Sequence, residues 1–197
     1  QINDDDIARL ARHGVHILHC PDSNLKLASG ICPVAALDKA DVNVAVGTDG
    51  AASNNDLDML GEMRLAALLA KGASGDPEAV PAARALSMAT IHGARALNVD
   101  TSLGSIEIGK QADLAAICLD SLETQPVHDV ISQLVYATPR SQVTDVWVAG
   151  RCVMADRTLL SIDEHALMAQ TQRWGQRIAA IGDAGRTAQD DSVASAQ

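Results

Sequence analysis

The chain has 197 residues, 25 acidic against 15 basic side chains and a net charge of −10. That length suffices for a real hydrophobic core, and the charge argues against nucleic acid or an anionic membrane as a partner, because phosphates would be repelled. Aromatics are confined to Trp147, Trp174 and Tyr136, with no Phe. The core must therefore be built from Ala, Val, Leu and Ile.

Cys20, Cys32, Cys118 and Cys152 are scattered and form no CxxC pair. They read as reduced thiols of a cytoplasmic protein, each a small apolar residue rather than a ligand. No apolar run approaches the roughly 20 residues of a membrane span, and no signal-peptide pattern is present. The chain opens on Gln1 rather than Met, so a missing natural N-terminus is expected.

Taken in order, residues 4–13 predict a short helix with acids in its first turn, where the helix dipole favours them. After Gly14, the apolar run VHILHC predicts a strand that breaks at Pro21 into a polar loop, PDSNLKLASG. A helix is expected from about Pro33, then a second strand in NVAVGTD that breaks at Gly47–Gly50. The loop AASNND leads into a helix over LDMLGEMRLAALLAKG, closed by Gly72, and residues 82–97 predict a further helix. Strands alternating with helices imply parallel pairing through helical crossovers. Both strands are apolar throughout, as expected where both faces are covered.

The pattern then changes. GSIEIGKQADLAAICLD predicts a short Gly-flanked strand, a turn at Gly109–Lys110 and a second strand. VTDVWVAGRCVMADR predicts an antiparallel hairpin turning at Ala149–Gly150. A last amphipathic helix is expected over about Ser161–Ile178, and the small polar tail from Gly182 reads as disordered. Two strand–helix units cannot close a parallel sheet, so the chain reads as the end of a larger α/β barrel.

In such sheets, functional groups gather past the carboxyl ends of the strands. His19 and Cys20 stand there after the first strand and Asp49 after the second. The following loops bring Asp22, Ser23, Asn24, Ser53 and Asn54 to the same end. On position alone, Asp49 serves either a metal and substrate or as a turn and helix cap. His19 is equally readable as a satisfied polar group. Zinc catalysis needs three or more protein ligands, and this chain does not supply them. Glu62 and Arg64 read as a solvated or ion-paired helix face, and His92 as a packing or capping residue. Lys26 is left open between a substrate contact and the loop backbone.

HCPDSNLKLASGICPVAAL, VGTDGAASNNDLDMLGEMRLAALLAK, ATIHGARALN and GSIEIGKQADL form one pattern over residues 14–155. It resembles the amidohydrolase superfamily, in the branch of adenosine-type deaminases and triazine hydrolases, and most of all the 5-methylthioadenosine/S-adenosylhomocysteine deaminases. The resemblance implies an α/β fold: the C-terminal part of a (β/α)8 TIM-type barrel plus strands of a small β-sandwich. It divides the chain into barrel units over 1–99, sandwich strands over 100–157, a helix over 158–182 returning to the barrel, and a disordered tail over 183–197.

The resemblance also assigns roles. Asp49 would bind one divalent metal per subunit, zinc or iron, and accept the proton of the attacking water. His19, Ser23, Asn24, Ser53 and Asn54 would line the substrate pocket. The implied reaction is metal-dependent hydrolytic deamination of 5'-methylthioadenosine or S-adenosylhomocysteine, in a cytoplasmic homo-oligomer. The remaining ligand histidines and a proton-donating glutamate belong to an N-terminal half preceding Gln1. Two other readings stay open: hydrolysis of another ring amine or chloride (guanine or triazine type), or a non-catalytic scaffold module.

Overall fold

A computed structural model describes residues 2–194. The first helix, α1 (Asp4–Arg12), starts in a reciprocal cap: Asn3 Oδ1 accepts the Asp6 amide and the Asp6 carboxylate accepts the Asn3 amide. Such a cap satisfies two N–H groups that the first turn leaves without partners. Strand β1 (Ile17–His19) follows, then α2 (Pro21–Lys26) and α3 (Val34–Lys39), and strand β2 (Val44–Val46). β1 and β2 pair in parallel, Ile17 opposite Val44 and His19 opposite Val46. The expected parallel pair with a helical crossover is thus present. Two expected loops are partly helical, however. Pro21, with its preset φ, opens α2 as a first-turn residue. The AASN sequence winds into α4 (Ala51–Asn54).

The long helix α5 (Met59–Ser74) begins where Asp58 caps the Leu60 amide at 3.0 Å. It ends at Gly75, whose φ of 67° makes the left-handed turn, so Gly72 lies inside the helix rather than closing it. The helix expected over 82–97 is two helices, α6 (Ala82–Met88) and α7 (Ile91–Ala96). They are separated at Thr90, where φ −130° and ψ −98° leave the helical region. α3, α5, α6 and α7 all pack against β2, leaving Val44 and Ala45 fully buried. Leu37, Met63, Ala66, Ala67, Ala85 and Met88 complete this core with Ala, Leu and Met side chains.

The strand expected within GSIEIGK is not formed: Ile106 and Ile108 are exposed and pair with no strand. Gly104 (φ 90°) instead turns the chain so closely over α7 that a Cβ there would lie 2.7 Å from Ala94 Cβ. Only glycine fits both that conformation and that approach. The second expected strand is present as β3 (Leu114–Ile117). A helix, α8 (Val130–Tyr136), follows and packs on α5 and α6. Then come β4 (Val143–Val148), β5 (Arg151–Ala155) and β6 (Thr158–Leu159), giving an antiparallel sheet ordered β3-β4-β5-β6. The hairpin turns at Ala149 (φ 50°) and Gly150 (φ 79°), where two left-handed residues match the strand twist.

The last helix, α9, spans Glu164–Ala194, continuing well past Ile178 and through most of the segment expected to be a disordered tail. Residues 195–197 of that expected tail lie outside the described residues. Every residue from Ser161 to Ile181 is exposed. The expected return of this helix onto the barrel units is therefore not what the structure shows. Repeated Ala, Gln and Arg favour the helix by propensity.

Candidate active site at the strand ends

The carboxyl ends of β1 and β2 lie side by side because the strands are parallel and in register. The loop after β2 is the more strained of the two. Asp49 has φ 61°, a left-handed conformation that aspartate tolerates better than most residues. Strain of this kind gathers where a side chain must be aimed. Thr48 supports the turn by donating its hydroxyl to the Asp49 carbonyl at 2.9 Å.

The Asp49 carboxylate is the meeting point of both loops. Ser23, on α2 after β1, donates to Asp49 Oδ2 at 2.9 Å. Ser53, on α4 after β2, donates to the same oxygen at 2.6 Å. The Ser53 hydroxyl, the Gly50 amide and the Ser23 hydroxyl hold the Asp49 carboxyl below its ordinary range. Hydrogen bonds to the charged form have that effect. The carboxylate is thus ionised at neutral pH, and neither serine hydroxyl falls on Oδ1.

Of the other expected site residues, His19 is buried, 2% exposed, with no hydrogen-bond partner for either ring nitrogen. Burial lowers its pKa to about 4, so the ring is neutral. Asn24 is half-buried in α2, its amide bonded to the Cys20 carbonyl as part of the helix start. Asn54 is buried and turned into the protein. Its amide nitrogen donates to Glu62 Oε1, and its carbonyl oxygen accepts the Leu57 amide at 2.7 Å. The structure therefore gathers Ser23 and Ser53 on Asp49 and gives Asn54 a loop-building part.

Three neighbours were read differently from the sequence or left open there. Lys26 binds the loop backbone, donating to the Ala52 carbonyl at 2.9 Å and to the Asn55 side chain. Glu62 is not solvated: it is 2% exposed and accepts the Asp22 amide at 3.1 Å on Oε2 as well as Asn54 on Oε1. Burial pushes its carboxyl up, against the pull of those two donors. Arg64 is not an ion-paired surface residue either, since it donates to the carbonyls of Val135 at 3.2 Å and Thr138 at 2.8 Å. A sequence signal existed for Glu62, because it shares the stripe 62, 66, 70 with buried Ala66 and Ala70. His92 is the packing residue it was expected to be. Its Nδ1 faces the Val44 carbonyl at 3.2 Å and its Nε2 faces Arg84 at 2.7 Å. Nδ1 then carries the proton and Nε2 accepts.

Among the described residues, no group of three or more His, Cys, Asp or Glu side chains is placed to hold a metal. Of the expected site residues, Asp49 offers the carboxylate ligand of the kind a divalent ion takes, with an oxygen that neither serine hydroxyl occupies. Its chemistry fits one corner of a metal site and not a whole one.

The amidohydrolase family pattern matches residues 2–153. Curated relatives include a 5-methylthioadenosine/S-adenosylhomocysteine deaminase of Teredinibacter turnerae, 49% identical over 91% of this chain and 41% of the relative. A protein of the same description from Moorella thermoacetica is 49% identical over 86% of this chain and 40% of its own length. Among solved structures, an adenosine deaminase from Xanthomonas campestris with bound zinc superposes with a TM-score of 0.89 at 53% identity. It covers 91% of this chain and 41% of that one. An atrazine chlorohydrolase of Arthrobacter aurescens, complexed with zinc, gives 0.79 at 31% identity, covering 86% of this chain and 38% of its own. The chain thus spans about 40% of the length of the relatives it matches. With three quarters of its residues inside the family pattern and near half-identity to named members, this chain belongs to the amidohydrolase family.

Proposed function

We propose that this chain carries the aspartate-bearing part of an enzyme that hydrolyses 5'-methylthioadenosine or S-adenosylhomocysteine to the inosine analogue and ammonia. The observation that carries the reading is the Asp49 carboxylate at the end of β2, receiving a serine hydroxyl from each of two strand-end loops. Higher identity to proteins described as deaminases than to the chlorohydrolase favours a ring amine over a ring chloride.

The amine of a purine is a poor leaving group and water a poor nucleophile at neutral pH. A divalent ion, zinc by the chemistry of the relatives, supplies water of lowered pKa when bound. Asp49 would be one of its ligands, the others coming from the portion of the relatives that this chain does not span. Asp49 takes the proton released as water attacks and returns it to the departing ammonia, a base turned acid. Ser23 and Ser53 fix the carboxylate so that its second oxygen faces the reaction, which preorganises the proton transfer. His19, neutral, and Asn24 line the β1 side of the pocket. Asn54 and Ser53 shape the β2 side.

The same reading sets the architecture. Residues 1–99 are the closing units of a (β/α)8 barrel and 100–157 contribute to a β-sandwich. The C-terminal helix, α9, follows the sandwich strands. A cytoplasmic homo-oligomer with one divalent ion per subunit completes the proposal.

The test is ammonia release from 5'-methylthioadenosine by zinc-loaded enzyme made of this chain joined to the upstream portion its relatives carry. Asp49→Ala should lower kcat by about 10²–10⁴-fold, the usual share of a general acid–base. Turnover of a triazine or guanine with none of adenosine analogues would overturn the substrate reading.

A further inference from the structure

Both serines that grip Asp49 are chain neighbours of a group held by one buried side chain. Asp22, whose amide donates to Glu62 Oε2 at 3.1 Å, precedes Ser23. Asn54, whose side-chain amide donates to Glu62 Oε1, follows Ser53. The two loops come from different strands, β1 and β2, and Glu62 stands in the first turn of α5 beneath both. We propose that Glu62 is a positioning residue of the Asp49 site, locking the two serine-bearing loops into one register.

The chemistry of the bracket requires an acceptor on both sides. Each partner of Glu62 is an N–H donor, so only a carboxylate, which accepts on both oxygens, satisfies the two at once. A glutamine of equal size would turn its NH₂ toward one of them and leave that donor unpaired. Burying a carboxylate is costly unless it is hydrogen-bonded or paired. Among the described residues no cation pairs with Glu62, so the two donors and the positive end of α5 offset that cost. A stability role alone would have been met by an apolar residue at this position, as its stripe-mates Ala66 and Ala70 illustrate. Lys26 supports the same register from outside by reaching from α2 to the Ala52 carbonyl.

The functional part of this inference rests on the hydrolase reading above, and the structural part does not. Glu62→Gln keeps the volume and breaks one arm of the bracket. The paired change Glu62→Gln with Asn54→Asp restores it with donor and acceptor exchanged. In the pair, the introduced glutamine donates its NH₂ to the new carboxylate, and its carbonyl oxygen accepts the Asp22 amide. In the 197-residue chain, amide hydrogen exchange at Asp22 and Leu57 should accelerate by about tenfold in E62Q, one lost hydrogen bond. Exchange should return to the native rate in the pair. In the completed enzyme, E62Q should lower kcat by about 10²-fold through misplacement of the reacting groups. KM should stay within about threefold, and the pair should recover most of the loss.

Native exchange in E62Q, or no recovery of exchange in the pair, overturns the bracket. Accelerated exchange with an unchanged kcat, measured on whichever ring substrate the enzyme hydrolyses, overturns the positioning role. Failure of methylthioadenosine as substrate sinks only the deaminase reading, because the exchange measurement does not depend on it.

Discussion

The α/β part of the chain and its antiparallel sheet are built from similar residues but close differently around them. β2 is buried along its whole length, with α3, α5, α6 and α7 against it. β3, β4, β5 and β6 contain no fully buried residue. Between the sheet and the α5–α7 layer lies an apolar cavity of about 710 Å³, lined among others by Met63, Leu86, Leu103 and Leu114. Stability therefore resides in the α/β part and the α8 helix that packs on it. The Asp49 site stands on that rigid part, which is where a precisely aimed side chain belongs.

Removing a core side chain puts this contrast to its hardest test. Met63→Ala should cost about 2–5 kcal/mol, by lost burial and the cavity left behind, read from the urea midpoint with an unchanged slope. Acid tests the same region through His19, whose pKa is lowered from 6.5 to about 4 by burial. The unfolded chain binds its proton first, so this contribution to stability is complete above pH 6.5 and is lost as pH falls toward 4. The loss should reach about 3 kcal/mol. His92, lowered first by burial and then by Arg84, acts in the same direction. His19→Leu should flatten the stability profile across that window, and a profile unchanged by the substitution would show the ring to be already solvated. Val153→Ala in β5, only half-buried, should cost about 1 kcal/mol. Ending the chain after Leu160 should shift the unfolding free energy by no more than about 0.5 kcal/mol, since residues 161–181 are exposed. A larger loss on that truncation would mean that α9 stabilises the core.

A pair of sequence patterns that look alike also separates the two strands of the parallel pair. VHILHC and NVAVGTD are both apolar, yet Leu18 of β1 is 63% exposed while Ala45 of β2 is fully buried. Apolar composition expresses which faces a strand can bury, and its neighbours decide which it does. β1 has β2 on one side and, among the described residues, no strand on the other. The GSIEIGK segment teaches the same lesson: a short stretch flanked by glycines reads as a strand, but a strand needs a partner and Ile106 and Ile108 found none.

The order of residues was enough to locate the alternation of strand and helix over the first hundred positions, the hairpin at Ala149–Gly150 and the place of Asp49. Each follows from local rules: apolar runs, turn residues that tolerate positive φ, and the gathering of functional groups at strand ends. Packing in three dimensions was needed to show that Ser23 and Ser53 share one carboxylate oxygen, that Asn54 faces inward, and that Glu62 and Arg64 are internal brackets. Those facts depend on contacts between residues 26 to 74 positions apart, or on which side of a loop turns inward. A charged residue on a helix carries no local mark of whether its partner is water or a backbone amide brought from another strand. That choice is made when the loops close over α5.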